Sequence, residues 1–140
     1  MASKSKTDDV EDGHFDSIMV GMNNLRKQGT LCDVCLVVQR KQFPAHRIVL
    51  AAASKFFRLM FTTSMLESKS YEVELSSVDP DIIELLLEFI YTSQVPADIN
   101  KVQSLLDVAK QYQITCLKQV CAEVLKKRTA ARKRSGDGKV

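Results

Sequence analysis

The stretch LCDVCLVVQRKQFPAHRIVLAAA, residues 31–53, carries the strongest structural signals of the chain. Every side chain from residue 34 to residue 38 is apolar, which predicts a strand covered on both faces. A polar turn follows over residues 39–42, and a short return strand follows over residues 43–45. The run RIVLAAA, residues 47–53, is apolar around most of its circumference and predicts a helix buried in the domain centre.

Two charged residues interrupt this apolar stretch, Asp33 before the strand and Arg47 at the start of the helix. Burying either charge alone would cost free energy, so each needs a partner. His46 stands between the return strand and the helix. We expect it to fix this corner through a hydrogen bond rather than to act in catalysis.

The rest of the chain predicts helices and one more strand. A stripe of large side chains indicates an amphipathic helix ending near Lys27: Phe15, Ile18, Met22 and Leu25. Its polar side carries Asn23, Asn24, Arg26 and Lys27. Capping residues and periodicity place helices after Ser54 and Asp79, further helices that begin at Asn100 and Thr115, and a strand at residues 71–75. The order is helix, hairpin, two helices, strand, three helices, which is an α+β domain with a small sheet flanked by helices.

The two ends of the chain have nothing to bury. Residues 1–13 and 127–140 are polar and charged, so we expect them to be disordered. One domain over residues 14–126 remains, because 140 residues suffice for a single core but not for two.

Net charge is +3, but it is unevenly distributed. Residues 126–140 hold seven basic residues and one acidic residue, whereas residues 1–125 hold thirteen basic and sixteen acidic residues. A mildly acidic body is a poor binder of phosphate backbones, so we do not expect it to bind nucleic acid directly. The sequence also lacks a secretory signal and any run of roughly 18 apolar residues, so we expect no membrane span.

The cysteines and histidines do not combine into a recognisable site. Cys32 and Cys35 stand three apart in a predicted strand and point to opposite faces. Cys116 and Cys121 lie about 140° apart around a predicted helix. We therefore expect reduced, buried thiols, with no metal or cofactor. Catalytic motifs such as a nucleophile elbow or a phosphate-binding glycine loop are missing, so we do not expect an enzyme.

Two segments keep two interpretations each. The stripe on the N-terminal helix either packs on its own domain or docks on a second copy of the chain by exchange of the helix. The basic run KKRTAARKR is either a solvated helix end or a nuclear-import or nucleic-acid contact. Candidate nuclear-localisation residues are Lys126, Lys127, Arg128, Arg132, Lys133 and Arg134.

Three stretches carry a resemblance to a known family: residues 31–61, LLEFIYTSQV at residues 86–95, and VQSLLDVAKQYQI at residues 102–114. Together they resemble the BTB (POZ) domain, over about residues 15–125. The segment MFTTSMLESKSYEVEL, residues 60–75, is most similar to BTB domains of kelch-like proteins.

This resemblance implies a homodimer in which the N-terminal helix packs across the two-fold axis. It implies that Asp33 and Arg47 lie near each other in a charged pocket at the dimer interface, as an assembly requirement. The implied interface residues are Phe15, Ile18, Met19, Met22, Leu25, Asp33 and Arg47.

Similarity to kelch-like proteins further implies binding to cullin-3, as an adaptor in a ubiquitin ligase. Their cullin-contacting motif, a hydrophobic residue followed two positions later by Glu, matches Met65-Leu66-Glu67. The implied cullin-binding residues are Phe61, Met65, Leu66, Glu67 and Tyr112. A second interpretation is that Met65 and Leu66 merely cover the domain's own core.

Kelch-like proteins continue into a further helical pair and a kelch propeller, whereas residues 126–140 are hydrophilic. We therefore expect a fragment of a longer adaptor or a short form without substrate recognition, in the nucleus or the cytoplasm. The alternative is the BTB domain of a transcription regulator, whose dimer recruits a corepressor peptide in its lateral groove.

Overall fold

The computed structural model of the protein describes residues 2–63 and 70–139, and the side chains of residues 13–63 and 70–128. The predicted α+β order is confirmed in these ranges. In chain order the elements are α1 (Ala2–Gln28), β1 (Val34–Val38), β2 (Lys41–Ala45), α2 (Arg47–Ala53), α3 (Lys55–Thr62), β3 (Glu72–Glu74), α4 (Pro80–Thr92), α5 (Ile99–Gln111) and α6 (Thr115–Lys139).

Strand β1 lies at the centre of a three-stranded sheet of order β2-β1-β3. It pairs antiparallel with β2 and parallel with β3. Val34, Leu36 and Val38 on one face are fully buried, and Cys35 on the other face is only 3% exposed. The prediction that this strand is covered on both faces is therefore confirmed.

The hairpin between β1 and β2 is tighter than predicted. Its turn consists of two residues, Gln39 and Arg40, and both have positive φ, 49° and 72°. Positive φ at both central residues is the signature of a type I′ turn, whose twist matches that of the paired strands. The return strand therefore begins two residues earlier than predicted, at Lys41.

Proline occupies a permitted position in the edge strand β2. The backbone N–H of Cys35 donates to the carbonyl of Tyr71 in the neighbouring chain segment, at 2.7 Å. Cys35 therefore directs its backbone groups towards β3, and its partner in the β1–β2 register, Pro44, directs its own backbone away from the sheet. The missing N–H of Pro44 thus costs no hydrogen bond in the ladder.

The helix starts follow the predicted caps closely. Ser54 Oγ accepts from the N–H of Phe57 at 3.0 Å and donates to the carbonyl of Tyr112 at 2.6 Å. One hydroxyl therefore caps the N-terminus of α3 and also hydrogen-bonds to the C-terminal end of α5. Asp79 caps α4, with Pro80 at the first helical position. Helix α5 begins one residue earlier than predicted because Asp98, not Asn100, supplies the cap.

The apolar core lies between the sheet and the helices that follow it. Helix α4 contributes most to it, as its nearly continuous apolar sequence predicts. The largest fully buried side chains come from several elements: Tyr91, Tyr112, Phe57, Leu36, Leu50, Ile83, Leu86 and Leu105. Helix α1 packs on α4, and α5 packs on both α4 and α6.

The prediction that α2 is buried at the domain centre is wrong. Leu50 is its one buried residue, and Ile48 is 77% exposed. Small alanine side chains let α2 approach its neighbours on one side, whereas its other side lies at the surface of the single chain. Helix α6 is buried only in part, since Leu117 and Cys121 are buried whereas Val120, Val124 and Leu125 are half-buried.

Both terminal helices extend into the segments for which disorder is predicted. Helix α1 begins at Ala2 and α6 ends at Lys139. Neither segment contains a proline, and the second is rich in alanine, lysine and arginine, which favour helix. The domain limits 14–126 stay a prediction. Among the described helices, none is long and apolar enough to cross a membrane.

Candidate interaction surfaces

The middle of helix α1 presents apolar side chains to solvent. Phe15 is 62% exposed, Ile18 43% and Val20 60%. Met19 and Leu25 are half-buried, and Met22 packs partly against the core. Phe15 and Ile18 lie on one face of the helix, whereas Val20 lies on another, because residues two apart are about 200° apart around an α-helix. Large apolar side chains left open on a single chain are typical of a protein interaction surface.

The last turns of α1 are held to the body of the domain by a buried charge. Arg26 Nε and Nη2 donate to Asn23 Oδ1 at 3.0 and 2.8 Å. The guanidinium lies 3.5 Å from the carboxylate of Glu88 in α4 and 4.9 Å from the centre of the Tyr91 ring. The prediction that Arg26 belongs to the polar side of α1 is wrong, since its side chain is only 9% exposed.

His46 joins three segments at the corner between β2 and α2, as predicted. Its Nε2 lies 3.2 Å from the carbonyl of Thr30, and its Nδ1 lies 2.8 Å from the hydroxyl of Tyr91. A carbonyl can only accept, so Nε2 carries the proton and Nδ1 accepts from Tyr91. The Tyr91 oxygen in turn accepts from the backbone N–H of His46 at 3.1 Å. Each polar atom of this corner therefore has a partner.

The four cysteines are free, and their burial differs. Cys35 and Cys121 are buried, and burial raises the pKa of each thiol. The prediction of buried thiols is wrong for Cys116, which is exposed, and for Cys32, which is half-buried. Burial, and next the charge of Asp33, raise the pKa of Cys32, so its thiol stays protonated at neutral pH. Nowhere among the described residues do three possible metal ligands come together.

Asp33 and Arg47 lie side by side, as expected. The Asp33 carboxylate accepts from the backbone N–H of Arg47 at 2.7 Å, and Arg47 Nε donates to the carbonyl of Asp33 at 3.1 Å. Asp33 thus caps α2 in place of His46, whose side chain makes no cap hydrogen bond. Within the single chain Asp33 is exposed and Arg47 is half-buried, so neither charge is buried alone.

The two described residues that are expected to contact cullin-3, Phe61 and Tyr112, differ in their exposure to solvent. Phe61 is half-buried near the end of α3, and its ring stacks on Phe57 with 5.9 Å between centroids. Tyr112 stacks on the other side of the same cluster, 5.4 Å from Phe57, and is only 2% exposed. Burial raises the pKa of Tyr112. The structure does not present Tyr112 at the surface, so it supports Phe61 through Phe57. Met65, Leu66 and Glu67 lie outside the described residues.

The basic segment at the C-terminus is described only in part. Lys126, Lys127 and Arg128 are exposed on α6. Arg128 donates to the carbonyl of Ala97, which ties this part of α6 to the loop before α5. The side chains of Arg132, Lys133 and Arg134 lie outside the described part of the chain.

Sequence patterns missed two of the most exposed apolar residues. Leu31 is 78% exposed and adopts a positive φ of 59°, and Ile48 is 77% exposed. No sequence pattern predicts that a leucine will adopt a left-handed backbone conformation. The sequence does not mark Ile48 as exposed either, because the run RIVLAAA is apolar around most of its circumference.

A cleft of about 450 Å³ lies where α2, α3, α4 and α6 meet. Its apolar lining includes Phe89, Ile90 and Ile114. Two exposed basic residues, Lys55 and Arg58, also line it. Such a lining suits an apolar peptide side chain beside a negative charge.

Comparisons with known proteins agree with this architecture. A profile of the BTB/POZ domain family matches residues 22–129. Kelch-like protein 7 from Homo sapiens is 62% identical over 110 residues, and its counterpart from Gallus gallus is 60% identical over the same length. Each alignment covers 79% of this chain and 19% of the relative, so the chain spans about a fifth of the length of these proteins.

The BTB domain of zebrafish PATZ1 is a solved structure with a TM-score of 0.74 to this chain and 32% sequence identity. The alignment covers 83% of this chain and 94% of that structure. The expected fold and the similarity to kelch-like proteins are therefore confirmed. This chain belongs to the BTB/POZ domain family.

Proposed function

We propose that the protein is a non-enzymatic, homodimeric adaptor module that recruits cullin-3 for the ubiquitylation of a substrate. The observation that carries the proposal is the 62% identity to kelch-like protein 7 over 110 residues. Kelch-like BTB domains, through the resemblance described above, imply this role. The same identity favours the nucleus or the cytoplasm as the compartment.

Self-association is supported by the exposed stripe on α1. Exchange of α1 between two copies covers Phe15 and Ile18 on both protomers at once, because a two-fold interface uses the same surface twice. Met19, Met22 and Leu25 continue the stripe towards the anchored end of the helix. Asp33 and Arg47 are proposed to lie beside this interface, where their mutual hydrogen bonds keep either charge from being buried alone.

The proposed cullin surface begins at the end of α3. Phe61 stands there on a stacked base formed by Phe57 and Tyr112. Met65, Leu66 and Glu67 follow a few residues later in the chain. An apolar anchor that fills a partner's pocket, next to a carboxylate that fixes the register, is a common form of binding hot spot.

A titration with the N-terminal region of cullin-3 tests this surface. The double variant Met65→Ala, Glu67→Ala is expected to weaken binding by about 2 kcal/mol, roughly 30-fold, because hot-spot truncations have at least this effect. Glu74→Ala, which removes an exposed carboxylate from β3, is the control and should bind as tightly as the parent. An unchanged affinity in the double variant would contradict the assignment of the site.

A second function is favoured by the cleft lined by Lys55 and Arg58 and by the likeness to the BTB domain of PATZ1. In this alternative the dimer belongs to a transcription regulator, and a corepressor peptide places an apolar side chain in the cleft. Binding of such a peptide that is lost in Lys55→Glu, Arg58→Glu, combined with no binding to cullin-3, would favour it.

The basic segment at the C-terminus allows the cellular compartment to be tested for either function. If residues Lys126, Lys127, Arg128, Arg132, Lys133 and Arg134 form a nuclear signal, their replacement by glutamine abolishes nuclear accumulation of a fluorescent fusion. Unchanged accumulation would leave these residues as the solvated end of α6.

A further inference from the structure

The cleft of about 450 Å³ where α2, α3, α4 and α6 meet carries charge of a single sign. Lys55 and Arg58 line it, and both side chains are exposed to solvent. No aspartate or glutamate is among the lining residues that the structure describes. Residues 1–125 hold thirteen basic and sixteen acidic residues, so this basic cleft differs from the mildly acidic body around it.

The two cations are available to a partner. Lys55 and Arg58 stand three positions apart in α3, so their side chains project from the same face of the helix. Neither side chain forms an ion pair with another residue in the described part of the chain. Both charges are therefore solvated in the single chain, and an incoming carboxylate need not displace an existing partner.

The floor of the cleft is apolar. Phe89 and Ile114 are buried, and Ile90 is half-buried. Ala52 and Ala53 also line the cleft, and their small side chains do not fill it. A floor of this kind accepts an apolar side chain, and the cations beside it favour a peptide that carries negative charge next to that side chain.

Hydrogen bonds join two walls of the cleft, so its shape exists before any partner binds. Ser54 Oγ donates to the carbonyl of Tyr112 at 2.6 Å, and the backbone N–H of Lys55 donates to the carbonyl of Gln113 at 3.3 Å. These two bonds attach the start of α3 to the turn between α5 and α6. A preformed site loses less conformational entropy when its partner binds.

We propose that this cleft binds a short acidic peptide segment of a partner protein. The peptide places a large apolar side chain on the floor formed by Phe89 and Ile114. A carboxylate next to that side chain in the peptide pairs with Lys55 and Arg58. The inference rests on the second function proposed above only in that both use this cleft, since it names the chemistry of the peptide and does not require a corepressor.

The first experiment selects peptides from a displayed library of random short sequences, with the full chain as the target. We expect enrichment of sequences in which leucine, isoleucine or phenylalanine stands next to aspartate or glutamate. Enriched sequences without an acidic residue would overturn the proposal, and so would a library that shows no enrichment.

The most enriched peptide is then synthesised and titrated. Lys55→Glu combined with Arg58→Glu should weaken its binding about 30-fold, because two attractive charge pairs become repulsive. Lys101→Glu combined with Lys110→Glu makes the same change of net charge at exposed positions of α5 and is the matched control. It should leave the affinity within about twofold of the parent, because salt screens charges far from the site. Equal losses in the two double variants would assign binding to net charge and overturn the proposal.

A change in the peptide tests the apolar floor without a change in the protein. Replacing the apolar residue of the peptide by alanine should weaken binding about tenfold, because less apolar surface is then buried against Phe89 and Ile114. An unchanged affinity would contradict this contact.

Cys116 locates the bound peptide, because its exposed thiol lines the cleft. At a peptide concentration about ten times Kd, the cleft is free in roughly one molecule in eleven, so alkylation of Cys116 should slow about tenfold. Alkylation of Cys32, a half-buried thiol outside the cleft, is the internal control and should not change. Mass spectrometry measures both rates. Unchanged alkylation of Cys116 would place the peptide elsewhere. Alkylation that slows with rising protein concentration, without peptide, would assign the cleft to a second copy; either result would overturn the proposal.

These readouts separate the inference from the proposed functions. If the parent protein does not bind cullin-3, the adaptor function fails, while peptide selection and the alkylation of Cys116 still decide the inference. If acidic peptides bind in the cleft and corepressor peptides do not, the second function is wrong and the inference holds.

Discussion

Two segments of helix α1 differ in what holds them. The C-terminal end is attached to α4 through Arg26, a charged residue with 9% exposure, whereas the middle of the helix leaves Phe15 and Ile18 open to solvent. Usual expectations are thus reversed along one helix, because the charged residue is buried and the apolar residues are exposed. An apolar stripe in the sequence therefore indicates a surface that is buried against another surface, but it does not indicate whether that surface belongs to the same chain or to a partner.

The largest expected effect concerns the exposed middle of α1. Replacing Phe15 and Ile18 together by alanine should weaken self-association by about 3 kcal/mol, more than 100-fold, if the stripe is the centre of the dimer interface. Sedimentation over the micromolar range measures the change. Leu59→Ala removes a side chain of similar exposure, 53%, from α3 and is the control. A parent protein that is monomeric at these concentrations would refute the exchanged helix.

The anchored C-terminal end of α1 should matter for folding instead. Arg26→Ala removes the partner of Glu88 and uncovers the Tyr91 ring, so we expect a loss of about 2 kcal/mol in the free energy of unfolding. Glu88 is 35% exposed and stays partly hydrated, which keeps the loss below that of a fully buried pair. Urea unfolding at fixed protein concentration measures it.

The neighbouring lysine provides a matched control for Arg26. Lys27 Nζ also approaches Glu88, at 3.9 Å, but its side chain is 57% exposed. Exposed pairs contribute little, so Lys27→Ala should change the unfolding free energy by less than about 0.5 kcal/mol. Equal effects of the two variants would show that charge near Glu88, rather than the buried position of Arg26, anchors the helix.

High pH probes the contact beneath Arg26. Burial raises the pKa of Tyr91 to about 12, and the hydrogen bond from His46 and the charge of Arg26 offset part of that rise. In the unfolded chain tyrosine loses its proton near pH 10, so between pH 10 and pH 12 the unfolded state binds fewer protons than the folded state. Stability is therefore fully present below pH 10 and falls above it, by about 2 kcal/mol from this residue.

Tyr91→Phe isolates this contribution from the titration of other groups. The variant should be less stable than the parent at pH 8, because the N–H of His46 loses its acceptor. The difference in unfolding free energy between parent and variant should shrink as the pH rises from 10 to 12. A difference that stays constant over this range would mean that Tyr91 titrates normally.

The smallest effect is expected in the linker that joins α1 to β1. Leu31 has a φ of 59° and an exposed side chain, and asparagine tolerates this conformation better than leucine. Leu31→Asn should therefore raise the unfolding free energy by about 0.5 kcal/mol. Leu59→Asn, on an α-helix, should give no gain. If Leu31→Asn also weakens self-association, the linker belongs to the interface.

Much of the fold was predictable because the sequence features that specify its helices and strands act locally. The apolar run in β1, the hydroxyl of Ser54 and the Asp79-Pro80 pair each act within a few residues, so their effects can be read in order along the chain. The type I′ turn at Gln39 and Arg40 was not predictable, because neither residue type favours a positive φ. The pairing of β1 with β2 on either side of the turn imposes the positive φ on these two residues.

The candidate surfaces were harder to predict because exposure depends on distant residues. Arg26 is buried by Glu88 and Tyr91, which follow it by more than sixty positions. Tyr112 matches an expected contact residue in sequence, yet stacking on Phe57 places it in the core. Ile48 stands on a helix that reads as fully buried, and only the packing of α2 on one side shows that its other side is open.

Pro44 has a consequence for how copies of this protein can assemble. Because its ring occupies an outward-facing backbone position of the edge strand β2, a further strand placed alongside would find a donor missing in the middle of the ladder. Growth of the sheet from one molecule to the next is thus disfavoured on this side. Contacts between copies through a helix related by a two-fold axis are self-limiting, so they stop at a pair, whereas edge-to-edge pairing would continue into a fibre.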